Sequence, residues 1–161
     1  MYNRRIACCL SVVLAAVVFA GCGVNQKQKD VYGNNKEIVQ SGDSLTYKDR
    51  KGEVTAQDAE LTFTGFYGSD TLWSIEATEE GKLDIEFEQD ITKGKFKVIL
   101  ITPEEETVVI AEGSAEGSME LPLIKGNSRI KIVGNKGKGN ANLHLTAGKG
   151  IEVDTVDSGG W

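Results

Sequence analysis

A strict alternation of apolar and charged residues constrains the fold of this chain more than any other feature, and it is clearest in the segment GKLDIEFEQD. Leu83, Ile85 and Phe87 alternate there with acidic residues. An extended backbone would place the apolar side chains on one face and the acids on the other. Because strict period two is typical of an antiparallel strand with one buried face, the segment predicts a sheet with a core on one side and solvent on the other.

Runs of this kind recur about every ten residues from Glu60 onward, with glycine-bearing connections between them. They are ELTFTGFY, TLWSIEAT, GKLDIEFEQD, GKFKVILI, ETVVIAEG, SMELPL, SRIKIVG and ANLHLTAG. About eight short antiparallel strands over about 100 residues are typical of a sandwich or a barrel. No amphipathic run is long enough to supply a crossover helix, which disfavours a parallel α/β fold. We predict an all-β fold, an antiparallel, jelly-roll-like β-sandwich of about eight strands.

Two stretches in the second half of the chain, KGKFKVILITPEEETVV and GSMELPLIKGNSRIKIVGNKGKGNANLHL, follow each other in a distinctive order. This order resembles the closing half of small bacterial jelly-roll domains of the prepeptidase C-terminal type. The resemblance implies a strand that ends in a proline turn, then a further strand and a final hairpin. It concerns the fold and implies no activity.

The glycine-rich stretch IVGNKGKGNANLHL suggests two structures, a phosphate-binding loop and a β-turn. A phosphate-binding loop leads into a helix N-terminus. Here Gly134, Gly137 and Gly139 precede a run of period two instead. We therefore interpret GNKGKG as the loop of a hairpin whose return strand buries Leu143 and Leu145.

The first 21 residues have the pattern of a secretory leader, because MYNRR carries two arginines and the apolar run IACCLSVVLAAVVFA is shorter than the roughly 20 residues that a spanning helix needs. The sequence FAGC, Phe19 to Cys22, resembles the lipobox of bacterial lipoproteins. The resemblance implies cleavage before Cys22 and a diacylglyceryl group on its sulfur. A plain signal peptide and an N-terminal membrane anchor are the alternatives. We expect acylated Cys22 to hold the protein in the lipid bilayer, on the extracytoplasmic face of the cell membrane.

Cleavage would make the remaining chain more acidic and free of thiols. It removes Arg4 and Arg5 and no acid, which moves the formal net charge from −6 to −8. This excess of acids disfavours binding of nucleic acid and mildly repels an anionic membrane surface. Cys8 and Cys9 leave with the leader and Cys22 is acylated, so a disulfide framework, a thiolate nucleophile and a cysteine-ligated metal are excluded.

Residues 22–56 are polar and show no sustained period. We interpret them as a flexible tether with one short strand near residues 45–48, long enough to hold a domain roughly 30 Å from the membrane. The predicted organisation is a leader over residues 1–21, a tether over 22–56 and a β-sandwich over 57–161.

The chain contains few of the residue types that usually act as nucleophile, general base or metal ligand in an enzyme. His144, the only histidine, shares its predicted face with Asn140 and Asn142. We interpret it as an exposed strand residue, since neither a nucleophile nor companion metal ligands accompany it. Acids are so abundant that no single pair indicates a glycosidase. We predict a protein that is not an enzyme and needs no cofactor.

Four acids at spacing two form a stripe that could bind calcium, which prefers clustered oxygen ligands. They are Asp84, Glu86, Glu88 and Asp90. The following segment carries Lys93, Lys95 and Lys97 at the same spacing. A hairpin through QDITKG would set the two rows side by side as a solvated salt ladder, which is the interpretation we favour over calcium.

Aromatic side chains are the remaining candidates for ligand contact, and they are Tyr67, Trp73 and Trp161. Trp73 alternates with Ile75 and Ala77, which favours core packing. Trp161 follows a glycine pair and could pack on the sandwich or dock a partner. The predicted function is a lipid-anchored, non-catalytic sandwich that binds an envelope protein or a glycan. The alternative is a structural or spacer lipoprotein without a discrete ligand.

Overall fold

The computed structural model describes residues 24–156, so the predicted leader, Cys22 and Trp161 lie outside the described part. Helix α1 (Gln26–Asp30), a 3-10 turn (Val31–Gly33) and helix α2 (Asn35–Ile38) come first. Eight strands follow, namely β1 (Ser44–Thr46), β2 (Asp49–Val54), β3 (Asp58–Ala77), β4 (Gly81–Ile101), β5 (Thr107–Glu112), β6 (Ala115–Leu123), β7 (Gly126–Ala147) and β8 (Ile151–Thr155). No helix within residues 24–156 has the length and apolar character needed to cross a bilayer.

All eight strands belong to one antiparallel sheet, in which β7 lies between β3 and β4. Strands β1, β2 and β8 pair along the other side of β3. Strands β5 and β6 pair along the other side of β4. The all-β, antiparallel sandwich predicted from the alternation is confirmed.

The three long strands bend at the same level, and this bend folds the sheet into two layers. The register slips between Phe63 and Phe66 in β3 and between Ile91 and Lys95 in β4. Strand β7 passes through the bend at Lys136, whose backbone is in the left-handed region with a φ of 59°. Layer one comprises β2, β6 and residues 58–63, 81–91 and 139–147, and layer two comprises β1, β5, β8 and residues 66–77, 95–101 and 126–135.

The predicted hairpins at GNKGKG and QDITKG are wrong, because both segments continue as strands across the bend. The glycines of β7 permit close approach to its neighbours: a Cβ at Gly134 would collide with the ring of Phe66, and one at Gly139 with the carbonyl group of Asp90. The salt ladder is also wrong, since the acids and the lysines lie end to end along β4. Glycines mark bulges as well as turns, so the local pattern did not distinguish the two.

The main core lies between the two layers, and aromatic side chains fill its centre. Trp73 and Phe66 are fully buried. Phe63 stacks on Phe96 with ring centroids 4.7 Å apart and meets Phe66 edge-on at 5.8 Å. The Trp73 Nε1 donates to the Thr55 carbonyl oxygen at 2.6 Å, which satisfies its polar atom inside the core. Trp73 is therefore a core residue and is not available to a ligand.

The segment predicted as a tether covers the apolar part of the outer face of layer two. Ile99, Ile101 and Val133 point away from the main core and pack with Val31 and Ile38 in a second apolar cluster. The tether interpretation is therefore wrong for the described residues. The predicted short strand near 45–48 corresponds to β1. The unbroken apolar run VILI, residues 98–101, is buried on both faces, and apolar residues of the N-terminal segment cover its outward side chains Ile99 and Ile101.

A buried ion pair fastens this segment to layer two. Lys131 is 0% exposed, and its Nζ donates to Asp43 Oδ1 at 3.0 Å and to the Gln40 carbonyl oxygen at 2.8 Å. The other carboxylate oxygen of Asp43 accepts from the backbone N–H of Thr71 at 3.0 Å. Burial lowers the pKa of Lys131, and the Asp43 carboxylate opposes that shift. The segment is thus part of the folded domain.

Candidate binding groove

The outer face of layer one is open, and strands β3, β7, β4 and β6 present polar side chains along it in two rows. The first row comprises Asp58, His144, Glu86 and Ser118, and the second comprises Glu60, Asn142, Glu88 and Glu116. Together the rows line a groove of about 500 Å³. We call this surface the acidic groove, because five of these eight side chains are carboxylic acids.

The alternation that buries the core also builds the acidic groove. Ala59, Leu143 and Phe87 lie between the two rows, face the core and form the floor of the groove. Gly117 lies opposite Phe87 on β6, where a Cβ would approach the Phe87 ring to 3.2 Å. The absence of a side chain at Gly117 therefore leaves room for the ring, and the polar residues on either side of the floor point to solvent.

His144 pairs with an acid from a distant part of the chain. Its Nδ1 lies 2.6 Å from Asp58 Oδ1, and the side chains are 47% and 53% exposed. The hydrogen bond with Asp58 raises the pKa of His144, and the negative charges of Asp58 and Glu86 raise it further. His144 is exposed on a strand, as we predicted, but its pairing with Asp58 was missed. The two residues are 86 positions apart, so no local pattern in the sequence connects them.

The Asp58–His144 pair has no hydroxyl nucleophile beside it in its own row. Ser118 is the hydroxyl of that row, but β4 with Glu86 lies between Ser118 and His144. Two strand spacings, about 9–10 Å, separate the backbones of those two residues. A general base must reach its nucleophile within about 3 Å, so these residues do not form a Ser-His-Asp triad.

The four acids considered for calcium share the outer face of β4, as we predicted, but only Glu86 and Glu88 line the acidic groove. Alternate residues of one strand lie about 7 Å apart, too far for their carboxylates to converge on one ion without help from neighbouring strands. Next to Asp84, Glu120 forms an ion pair with Lys82 at 2.7 Å. Within residues 24–156, no group of three or more His, Cys, Asp or Glu side chains is arranged to hold a metal ion.

The aromatic candidates for ligand contact lie away from the acidic groove or outside the described residues. Tyr67 is half-buried in layer two, where it pairs with Thr46 and Asn135. Trp73 is in the core, and Trp161 lies outside the described residues. Five residues of the groove could have been noticed as polar members of three alternating runs, ELTFT, LDIEFE and NANLHLT, namely Glu60, Glu86, Glu88, Asn142 and His144. The sequence did not show that these runs are neighbours in the sheet.

No protein-family model and no curated protein sequence matches the chain. Among solved structures, CBM35 from Cellvibrio japonicus Abf62 is 13% identical, with a TM-score of 0.38 over 74% of this chain and 86% of that one. Xyl-CBM35 in complex with a glucuronic acid containing disaccharide is 14% identical, with the same TM-score and coverage. A mutant of CBM29-2, a family 29 carbohydrate binding module, is 16% identical, with a TM-score of 0.36 over 70% and 81% of the two chains. At TM-scores this low, the acidic groove has to be interpreted from its own residues.

Proposed function

We propose that this protein is a lipid-anchored, extracytoplasmic binding module that holds a glycan or an envelope protein in the acidic groove and catalyses no reaction. The observation that carries the proposal is the open groove across four strands of layer one. Its volume of about 500 Å³ is within the roughly 300–1,000 Å³ typical of ligand sites. The corresponding outer face of layer two has an apolar part, and the N-terminal segment of the chain already covers it.

The side chains of the acidic groove define the chemistry that a ligand must offer. Ionised carboxylates only accept hydrogen bonds, whereas Asn142 both donates and accepts. A matching ligand therefore presents many donors, such as the hydroxyl groups of a glycan or the amino and guanidinium groups of a protein. Both ligand classes meet this requirement, and a ligand with acceptors alone does not.

The absence of catalysis is part of the proposal and is supported by the layout of the groove. His144 and Asp58 are about half exposed, and a strand lies between them and Ser118. Water therefore reaches the ion pair freely, and among residues 24–156 only Asp58 is hydrogen-bonded to the imidazole.

The membrane anchor is supported by the leader pattern and by FAGC at Phe19 to Cys22. In cells that process lipoproteins, radiolabelled palmitate should be incorporated into the wild-type protein and not into Cys22→Ser. Cys8→Ser is the matched control and should incorporate the label normally. Incorporation into Cys22→Ser would contradict the lipobox interpretation.

Ligand binding can be tested with the mature protein on an array of neutral, acidic and amino-sugar oligosaccharides and in pull-downs from envelope extracts. A double variant, Glu60→Gln with Glu88→Gln, keeps the shape of the groove and removes two charges. We expect it to lose at least about tenfold in affinity for whatever the wild-type protein retains, because hydrogen bonds to charged groups contribute about 1.5–3 kcal/mol each.

Glu76→Gln is the matched control, since Glu76 is exposed on the part of β3 that belongs to layer two. It should bind like the wild-type protein. Equal binding by the double variant would show that the ligand lies elsewhere, and retention of no ligand by the wild-type protein would favour the structural or spacer role.

A further inference from the structure

A second charged surface lies where the sheet bends between its two layers. The segments of the bend, residues 63–68, 91–97 and 134–139, contain five lysines and no acidic residue. Four of the lysines are exposed, and we call them the lysine bend: Lys93, Lys95, Lys136 and Lys138. Lys93 and Lys138 are direct cross-strand partners. None of the four forms an ion pair with any residue between 24 and 156. Asp49, Asp90 and Glu112 lie at the edges of the bend, but none of them forms an ion pair with these four lysines. An acidic protein thus gathers four unpaired positive charges in this bend.

The N-terminal segment packs on the sandwich beside the lysine bend. Asn135 Nδ2 donates to the Lys29 carbonyl oxygen, at the end of α1, at 2.9 Å. The Lys95 ammonium group lies 5.7 Å from the centroid of the Tyr32 ring, in the adjoining 3-10 turn. The point at which the chain enters the fold is therefore next to the cluster of positive charge.

The same packing shortens the connection to the anchor. Asn25 caps α1, and its side chain accepts a hydrogen bond from the Gln28 backbone N–H at 2.8 Å. Cys22 lies only three residues before Asn25, and three residues span at most about 11 Å. An acyl group on Cys22 would hold this end of the sandwich close to the lipid headgroups, in place of the roughly 30 Å that a flexible tether would allow.

We propose that the lysine bend docks on anionic phospholipid headgroups of the membrane in which acylated Cys22 is anchored. This rests on the lipid anchor of the proposed function. Each lysine close to an anionic surface raises the partition toward it by about fivefold, and the anchor makes the contact intramolecular. The net negative charge repels the other surfaces of the protein from the same membrane, so the lysine bend is the surface that approaches it.

Docking in this way leaves the acidic groove accessible. Glu88, in the second row of the groove, precedes Lys93 on β4 by five residues, which corresponds to about 17 Å along the strand. The net negative charge of the protein predicts repulsion from an anionic membrane surface. This repulsion acts on the acidic groove and not on the lysine bend. The lysine bend would contact the membrane, and the acidic groove would bind the ligand.

Amine reactivity of the full, processed protein in isolated cell membranes tests this orientation. The membranes are treated with a membrane-impermeable acylating reagent, and modification at each lysine is measured by mass spectrometry before and after solubilisation in neutral detergent. Lys125 and Lys149 serve as internal controls, because they are exposed in the connections at the end of the sandwich opposite the bend. We expect the lysine bend to react at least about fivefold more slowly than the controls in membranes, and equally in detergent.

The outcomes separate this proposal from the one on which it rests. Recovery of the protein in the soluble fraction would overturn the anchor and the docking together. A membrane-bound protein whose lysine bend reacts as fast as Lys125 and Lys149 would overturn the docking alone. Sodium chloride at about 1 M shortens the screening length to about 3 Å and should remove the protection while the acylated protein stays bound.

A variant and a reconstitution identify the surface that is bound. Lys93→Glu combined with Lys136→Glu should make Lys95 and Lys138 reactive in membranes, whereas Lys125→Glu with Lys149→Glu should leave them protected. In reconstituted vesicles, the acylated protein should show protection with phosphatidylglycerol and not with phosphatidylcholine alone. Protection in cell membranes without protection on phosphatidylglycerol would assign the lysine bend to another polyanion and would overturn docking on lipid.

Discussion

The outer faces of the two layers differ sharply, although the same three long strands form both. Strand β4 shows the contrast most directly. In layer one its outward residues include Glu86 and Glu88, which line an open groove. In layer two they are Ile99 and Ile101, which the N-terminal segment buries. The outward residues of each strand therefore decide the role of each half of the sheet. One half presents an open surface for a ligand, and the other forms an internal interface.

The ion pairs of the two faces differ in the same way and should differ most in their effect on stability. Asp43→Ala leaves Lys131 buried without its carboxylate partner, and we expect a loss of about 3–5 kcal/mol in the free energy of unfolding. Glu120→Ala breaks the Lys82 pair of layer one, whose members are 66% and 54% exposed, and should cost far less, because solvent screens an exposed ion pair. Urea unfolding of both variants measures the two losses. Equal losses would mean that the cover of layer two adds no buried electrostatic contact.

Apolar packing under the cover gives the next largest expected effect. Ile38 is fully buried in the second apolar cluster, and Ile38→Ala should destabilise the protein by about 2–4 kcal/mol through lost burial and a cavity. Glu88→Ala, on the open face, should change the stability by no more than about 0.5 kcal/mol. Thermal unfolding compares the two. A small effect of Ile38→Ala would indicate that the N-terminal segment contributes little to the stability of layer two.

The smallest effect concerns the titration of the open face. The pKa of His144 should lie above its usual value of about 6.5, because Asp58 stabilises the imidazolium form. A raised pKa means that the pair contributes to stability below pH 6.5 and that the contribution is lost as the pH rises through the raised value. Proton NMR follows the single histidine of the chain directly.

Two variants identify the cause of that shift. Asp58→Asn should move the midpoint of His144 down toward 6.5, since it removes the carboxylate that the imidazole contacts. Asp90→Asn changes a carboxylate of the same face of β4 that does not line the acidic groove, and it should leave the midpoint unchanged. A midpoint insensitive to Asp58→Asn would show that the pair does not form in solution.

Much of the fold could be predicted because side-chain alternation is local. The run LDIEFE predicts that Leu83 faces the core and Glu86 faces solvent, and the structure places both accordingly. The burial of Trp73 follows from the same rule. The cover of layer two could not be predicted this way, since Val31 and Ile38 are single apolar residues in a polar segment, and their role depends on Ile99 and Ile101 far along the chain.

The sequence by itself determined that this protein is an antiparallel β-sandwich, because alternation with period two needs only neighbouring residues to specify which side chains are buried. The tertiary structure decided where the chain bends and where it reverses, since glycine serves both conformations. It also brought Asp58 to His144 and gathered the lysines of two strands beside α1. These contacts join segments that are distant in the sequence. They depend on how the strands pair across the whole sheet, and no local pattern in the sequence encodes that pairing.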